Sequence, residues 1–142
     1  MIDIVNNAIQ TVAVGGGVVF GAPRISTGCC SARHENGSSR FVLLKPGVYS
    51  VLFFGNIAVP DGGTVGEIGV ALSVDGEIVT GSEAVYTPAA VDVYGNVTTA
   101  ALIRVYGCGG NVSVSVVNAA DIPINVQNAN LIIKRECGGD MV

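Results

Sequence analysis

Apolar and polar positions along the chain recur with a period of two, in short runs closed by turn-forming residues, and the 3.6-residue period of a helix is almost absent. The run that organises the rest is Gly47 to Ala58, GVYSVLFFGNIA. Lys45-Pro46-Gly47 opens it and Pro60-Asp61-Gly62-Gly63 closes it, so breakers bound it on both sides. One alternating set is Val48, Ser50, Leu52, Phe54 and Asn56; the other is Tyr49, Val51, Phe53, Gly55 and Ile57. A strand with one wet face alternates cleanly between apolar and polar, whereas here both sets are largely apolar. Both faces therefore need cover. The facing sheet of a sandwich supplies one, and a second copy of the same chain is expected to supply the other.

The remaining strands follow from the same pattern. Ile9 to Val14 opens the series, and Val18 to Phe20 follows the triple glycine Gly15-Gly16-Gly17, either as one strand broken by a bulge or as two short edge strands. Gly21 to Ser39 is polar, rich in Gly and Ser, and reads as a long loop with one short strand at most. Arg40 to Leu44 leads into the organising strand. Glu67 to Val74 and Glu77 to Thr80 flank Asp75-Gly76, a strong two-residue hairpin signal. Glu83 to Thr87 is short and ends at Pro88. Asn96 to Tyr106 is long, with Val97, Thr99, Ala101, Ile103 and Val105 on one face. Val112, Val114 and Val116 alternate with Ser113 and Ser115, and Ile122 to Val126 and Leu131 to Lys134 close the chain. Roughly eight to ten strands at this spacing predict an all-β antiparallel sandwich or barrel. No linker divides it, so residues 1–142 are expected to form a single domain, with an ordered core over about 9–135 and a short polar tail.

Composition narrows the function classes. Hydrophobic residues make up 49% and charged residues 13%, about half the usual charged share, which fits a surface covered by neighbouring subunits. A net charge of −4 argues against a broad nucleic-acid footprint. No apolar run is long enough for a membrane helix, and MIDIVNNAIQ shows no basic segment followed by an apolar run, so neither a membrane nor a signal peptide is expected.

Candidate chemistry is sparse. Cys29 and Cys30 are adjacent, Cys108 stands alone and Cys137 lies near the end. Free thiols, disulfides in any of three pairings, and a metal site all remain open for them, although no pair has zinc-ligand spacing. A reducing compartment favours thiols. His34, the only histidine, sits with Arg33 and Glu35 in the polar loop. Pairing it with Cys29 or Cys30 as nucleophile and base would need partners brought together by the fold, and loop neighbours are not that. Asp61, Glu67, Asp75, Glu77 and Glu83 fall mostly at turns, where they serve backbone geometry. No calcium-loop pattern, phosphate cradle or convergent titratable set is present, so no cofactor, metal or enzymatic activity is expected. The triplets at Asn36, Asn96 and Asn111 read as chance matches to a glycosylation signal.

The order of segments resembles the trimeric jelly roll shared by tumour necrosis factor (TNF) and the heads of complement component one q. Gly47-Val48-Tyr49-Ser50-Val51-Leu52-Phe53 is similar to that family's Gly-x-Tyr strand, and Val70-Ala71-Leu72-Ser73-Val74-Asp75-Gly76-Glu77 to its hairpin-ending strand. Asn111 to Asn118 and Leu131 to Lys134 occupy the later places. A closer likeness is to small phage and prophage structural proteins of gut Firmicutes, through Thr27-Gly28-Cys29, Lys45-Pro46-Gly47, Thr87-Pro88-Ala89-Ala90 and Val126-Gln127-Asn128-Ala129-Asn130. Unlike the complement members, the chain has no collagen-like repeat.

The resemblance implies a TNF-like homotrimer whose threefold axis is lined by apolar and aromatic side chains of the long strands. Tyr49, Val51, Phe53, Leu102 and Tyr106 are the interface candidates. It further implies a non-enzymatic virion decoration or fibre knob, made in the cytoplasm and working on a virion or bacterial surface, with itself and other virion proteins as partners. The alternative is a receptor- or carbohydrate-binding module, gripping a host glycan or protein with the loops at Gly21 to Ser39 and Pro60 to Gly66.

Overall fold

A computed structural model describes residues 1–27, 32–107 and 111–137, and these form two antiparallel sheets packed face to face. The described strands are β1 (Ile2–Asn6), β2 (Gln10–Val12), β3 (Pro23–Ser26), β4 (Ala32–His34), β5 (Phe41–Leu43), β6 (Gly47–Ala58), β7 (Ile68–Val74), β8 (Glu77–Ile78), β9 (Ala84–Tyr86), β10 (Gly95–Val105), β11 (Val112–Asn118) and β12 (Ile124–Cys137). The first sheet runs β10-β6-β12-β1-β3, with β2 also on β12; the second runs β4-β5-β11-β7-β8, with β9 also on β7. Most pairings join strands far apart in sequence, and the organising strand β6 lies between β10 and β12.

Period-two alternation decides what fills the space between the sheets. From the first come Ile2, Ile4, Tyr49, Val51, Phe53, Ile103, Leu131 and Ile133; from the second come Phe41, Leu43, Val70, Leu72, Val114 and Val116, all buried. Phe20 ties the layers together, its ring edge-on to Phe41 at 5.6 Å and to Phe53 at 6.4 Å between centroids. The face of β10 read from the sequence is the inward one: Val97, Thr99, Ile103 and Val105 are buried and Ala101 is half-buried.

Asp75 and Gly76 have φ of 51° and 89°, the two left-handed residues that a type I′ turn requires, and Val74 pairs with Glu77 across it. The triple glycine marks a change of sheet. β2 pairs with β12, and Gly17 then bridges to Val117 of β11.

Three expectations change. The packed core begins at Ile2 rather than near residue 9, because β1 inserts between β12 and β3 and buries Ile2 and Ile4. Its five residues are too short a pattern to stand out in the sequence. The two closing runs form one strand, β12, bent at a bulge where Asn128 has φ of 53° and the register on β6 shifts between Gln127 and Asn130. The segment from Gly21 to Ser39 contributes two strands, β3 and β4, where a loop with one was expected.

Candidate functional site

The fold separates the two apolar sets of β6. Tyr49, Val51, Phe53 and Ile57 are fully buried between the sheets, whereas Val48, Ser50, Leu52, Phe54 and Asn56 are only half-buried on the outer face of the first sheet. Register places their neighbours. One row across that face reads Ala100, Leu52, Ile132, Asp3 and Ile25; the next reads Thr98, Phe54, Asn130 and Val5. On the other side of Leu52, Leu102 faces Ser50 and Lys134. Leu102 is 70% exposed and Ile25 45%. An apolar strip thus runs from β10 to β12, with the Asp3–Arg24 pair between it and Ile25 on β3, and exposed patches of this kind mark interaction surfaces. Amides (Asn56, Asn96 and Gln127) continue the same face beyond Phe54.

Two buried acceptors border this strip. Asp3 is paired with Arg24 through Oδ2, while its Oδ1 has no hydrogen-bond partner among the described residues; Asn130 Oδ1 has none there either. Unmet buried acceptors cost stability unless something supplies donors.

Placed on this geometry, the five interface candidates divide. Tyr49, Val51 and Phe53 are 0% exposed within one subunit, so they have no area left for another and belong to the sandwich core. The family resemblance puts the long strands at an axis but does not say which face of β6 lines it, and only the facing sheet decides which is filled. Leu102 and Tyr106 do project outward, at 70% and 67% exposure, and Arg104 lies over the Tyr106 ring at 5.8 Å. Leu52, Phe54, Ala100 and Ile132, which complete the open strip, were not among the candidates. The set Val48 to Asn56 was their available signal.

Cys29, Cys30 and Cys108 lie outside the described residues, as does the side chain of Cys137, whose backbone pairs with Val48 at the end of β12. His34 is part of β4. Its ring stacks on Phe41 at 4.2 Å and its Nε2 lies 2.7 Å from the Ser38 carbonyl, a contact that places the proton on Nε2. Among the described residues no three His, Cys, Asp or Glu side chains are grouped to hold a metal ion.

The outer face of the second sheet is different in kind. A cavity of about 630 Å³ crosses it, with Ser39, Arg40, Ser73, Asp75, Ser113 and Ser115 among its lining. A second, of about 380 Å³, adjoins it through the shared Ser39 and Arg40 and is also lined by Arg33, Glu35, Ser38 and Val42. The loop at Pro60 to Gly66 lines neither of the two cavities.

Comparison with solved structures places the fold. The chain is similar to Eiger TNF from S. frugiperda, with a TM-score of 0.69 at 11% identity over 99% of this chain and 95% of that one. It is similar to murine APRIL at pH 5.0, with a TM-score of 0.62 at 14% identity over 94% of this chain and 96% of that one. Likeness at such low identity is one of fold, and the fold is an all-β TNF-like jelly roll. No family model matches the chain, and no curated protein matches it.

Proposed function

We propose that this protein is a non-enzymatic structural module that works as a homotrimer, its copies meeting on the outer face of the first sheet. The observation that carries this is the open strip Leu102, Ala100, Leu52, Phe54 and Ile132, on a sheet whose inner face is already full. Burying such a strip is favourable at about 25 cal/mol per Å² of apolar surface. Three copies rather than two is supported by the trimeric family that the sequence resembles. A cyclic trimer joins two different patches of each subunit, which suits a strip that begins at the edge strand β10 and is bordered by polar residues on β1. The placement as a phage decoration or fibre knob, on a virion or bacterial surface, is supported by the segment resemblance to phage structural proteins. His34 locked by Phe41 and Ser38, and carboxylates spread over turns, support a role without catalysis. Light scattering tests the assembly: a mass near three times 14.4 kDa is expected, and a clean monomer at micromolar concentration would overturn it.

A second reading, a receptor- or carbohydrate-binding module, is favoured by one observation, the polar groove across the second sheet. That groove lies on the opposite layer from the strip and stays open when the strip is covered.

A further inference from the structure

The groove on the second sheet has more specific chemistry than a solvated strand face. Arg33 on β4 pairs with Val42 on β5, and Arg40 lies two residues before Val42, so the two guanidinium groups share one face at diagonal positions. Neither has an ion-pair partner among the described residues, in a chain with only 7 Lys and Arg. Along the groove from them, Ser115 faces Ser73 across the β11–β7 ladder, and Ser113 stands two residues from Ser115. Ser73 is 6% exposed and lines the larger cavity. Asp75 closes the far end, its Oδ1 accepting the Ser113 N–H at 2.9 Å.

Gly17 shapes the wall. A Cβ there would meet the Ser39 side chain at 2.6 Å, so glycine lets Ser39 lie flat between the two cavities. The His34 contact with the Ser38 carbonyl holds the same loop from beneath.

We propose that this groove binds a carboxylated oligosaccharide, with the carboxylate held by Arg33 and Arg40 and the sugar hydroxyls exchanging hydrogen bonds with Ser73, Ser113, Ser115 and Asp75. This rests on the second of the two functional readings and names its ligand class. Guanidinium groups match the planar carboxylate and can hold it with two parallel bonds. Hydroxyls that both donate and accept suit a sugar, which does the same. Densely charged polymers fit poorly: Glu35 and Asp75 also line the cavities, the chain carries −4, and no aromatic ring is present there to stack a base.

Calorimetric titration of the intact protein decides it, with sialyllactose against lactose and trigalacturonate against its methyl ester as probes. Either acid is expected to bind, with its neutral counterpart weaker by roughly 10- to 100-fold, the range for losing charge-assisted hydrogen bonds. Arg33→Ala and Arg40→Ala, both at exposed positions, are expected to remove that preference while leaving the melting temperature in place. Ser115→Leu, which fills the groove floor, is expected to abolish binding of acid and neutral forms alike. Equal binding of acid and neutral probes would overturn the carboxylate assignment and leave the carbohydrate reading standing. No binding of any probe would overturn both, whatever mass light scattering reports.

Discussion

Ser82 is 1% exposed, and its hydroxyl accepts the Leu72 N–H at 3.0 Å while donating to the Val79 carbonyl at 2.7 Å. The Thr99 hydroxyl donates in turn to the Ser82 carbonyl, which ties β10 of one sheet to the hairpin arm of the other. Ser82→Ala leaves the buried Leu72 amide unmet, while the Val79 carbonyl keeps the Ser82 backbone N–H, and is expected to cost about 1–3 kcal/mol in denaturant unfolding. Nothing in the local sequence Thr80-Gly81-Ser82-Glu83 sets this serine apart from an ordinary turn residue. Its role exists only where β7 and β10 approach. Tyr49 makes the converse point. Its type and strand were legible, but its hydroxyl donates to the Lys45 carbonyl at 2.7 Å from a fully buried ring. Tyr49→Phe is therefore expected to lower stability by about 1 kcal/mol and to leave the oligomeric mass unchanged.

At the scale of elements, β1 and the bulge in β12 carry the surprises. β1 fills the gap between β12 and β3 and contributes Ile2 and Ile4 to the core. Deleting residues 1–7 is expected to lower stability by several kcal/mol, since each such side chain contributes about 1.5–3 kcal/mol when buried, and thermal melting measures the loss. The bulge holds Asn128 at φ of 53°, a conformation that β-branched residues resist. Asn128→Val is expected to cost about 1–2 kcal/mol, and Asn128→Gly far less, by the same measurement. The turn of hairpin β7–β8 was legible because Asp-Gly dictates it locally, although β8 ends at Ile78 and not at Thr80. The continuity of β12 was not, since Asn128-Ala129-Asn130 has the composition of a turn, and the strand continues past the Asn128 bulge because Ala129 and Asn130 pair with β1 and Asn130 with β6.

For the whole molecule, the two outer faces differ: an apolar strip on one sheet, a groove lined with serine and arginine on the other. If the strip joins subunits, one carboxylate at its centre with no cation to pair it, as Arg24 pairs Asp3, will prevent assembly without touching the core, because Leu52 points away from it. Leu52→Glu is expected to reduce the light-scattering mass to 14.4 kDa with the circular dichroism of the fold retained. A variant that keeps the wild-type mass would place the subunit contact elsewhere.

Period-two alternation and turn residues determined the strand class, the limits of β6, the hairpin at Asp75-Gly76 and the inward face of β10, since each is set by neighbours within a few residues. They also showed that β6 is apolar on both sides. Which side is filled was decided by tertiary structure alone, because two faces of similar hydrophobicity are told apart only by the sheet that packs on one of them. The same holds for the groove. Arg33, Arg40, Ser73, Ser113 and Ser115 are scattered through the sequence, and strand pairing over long separations brings them to one surface.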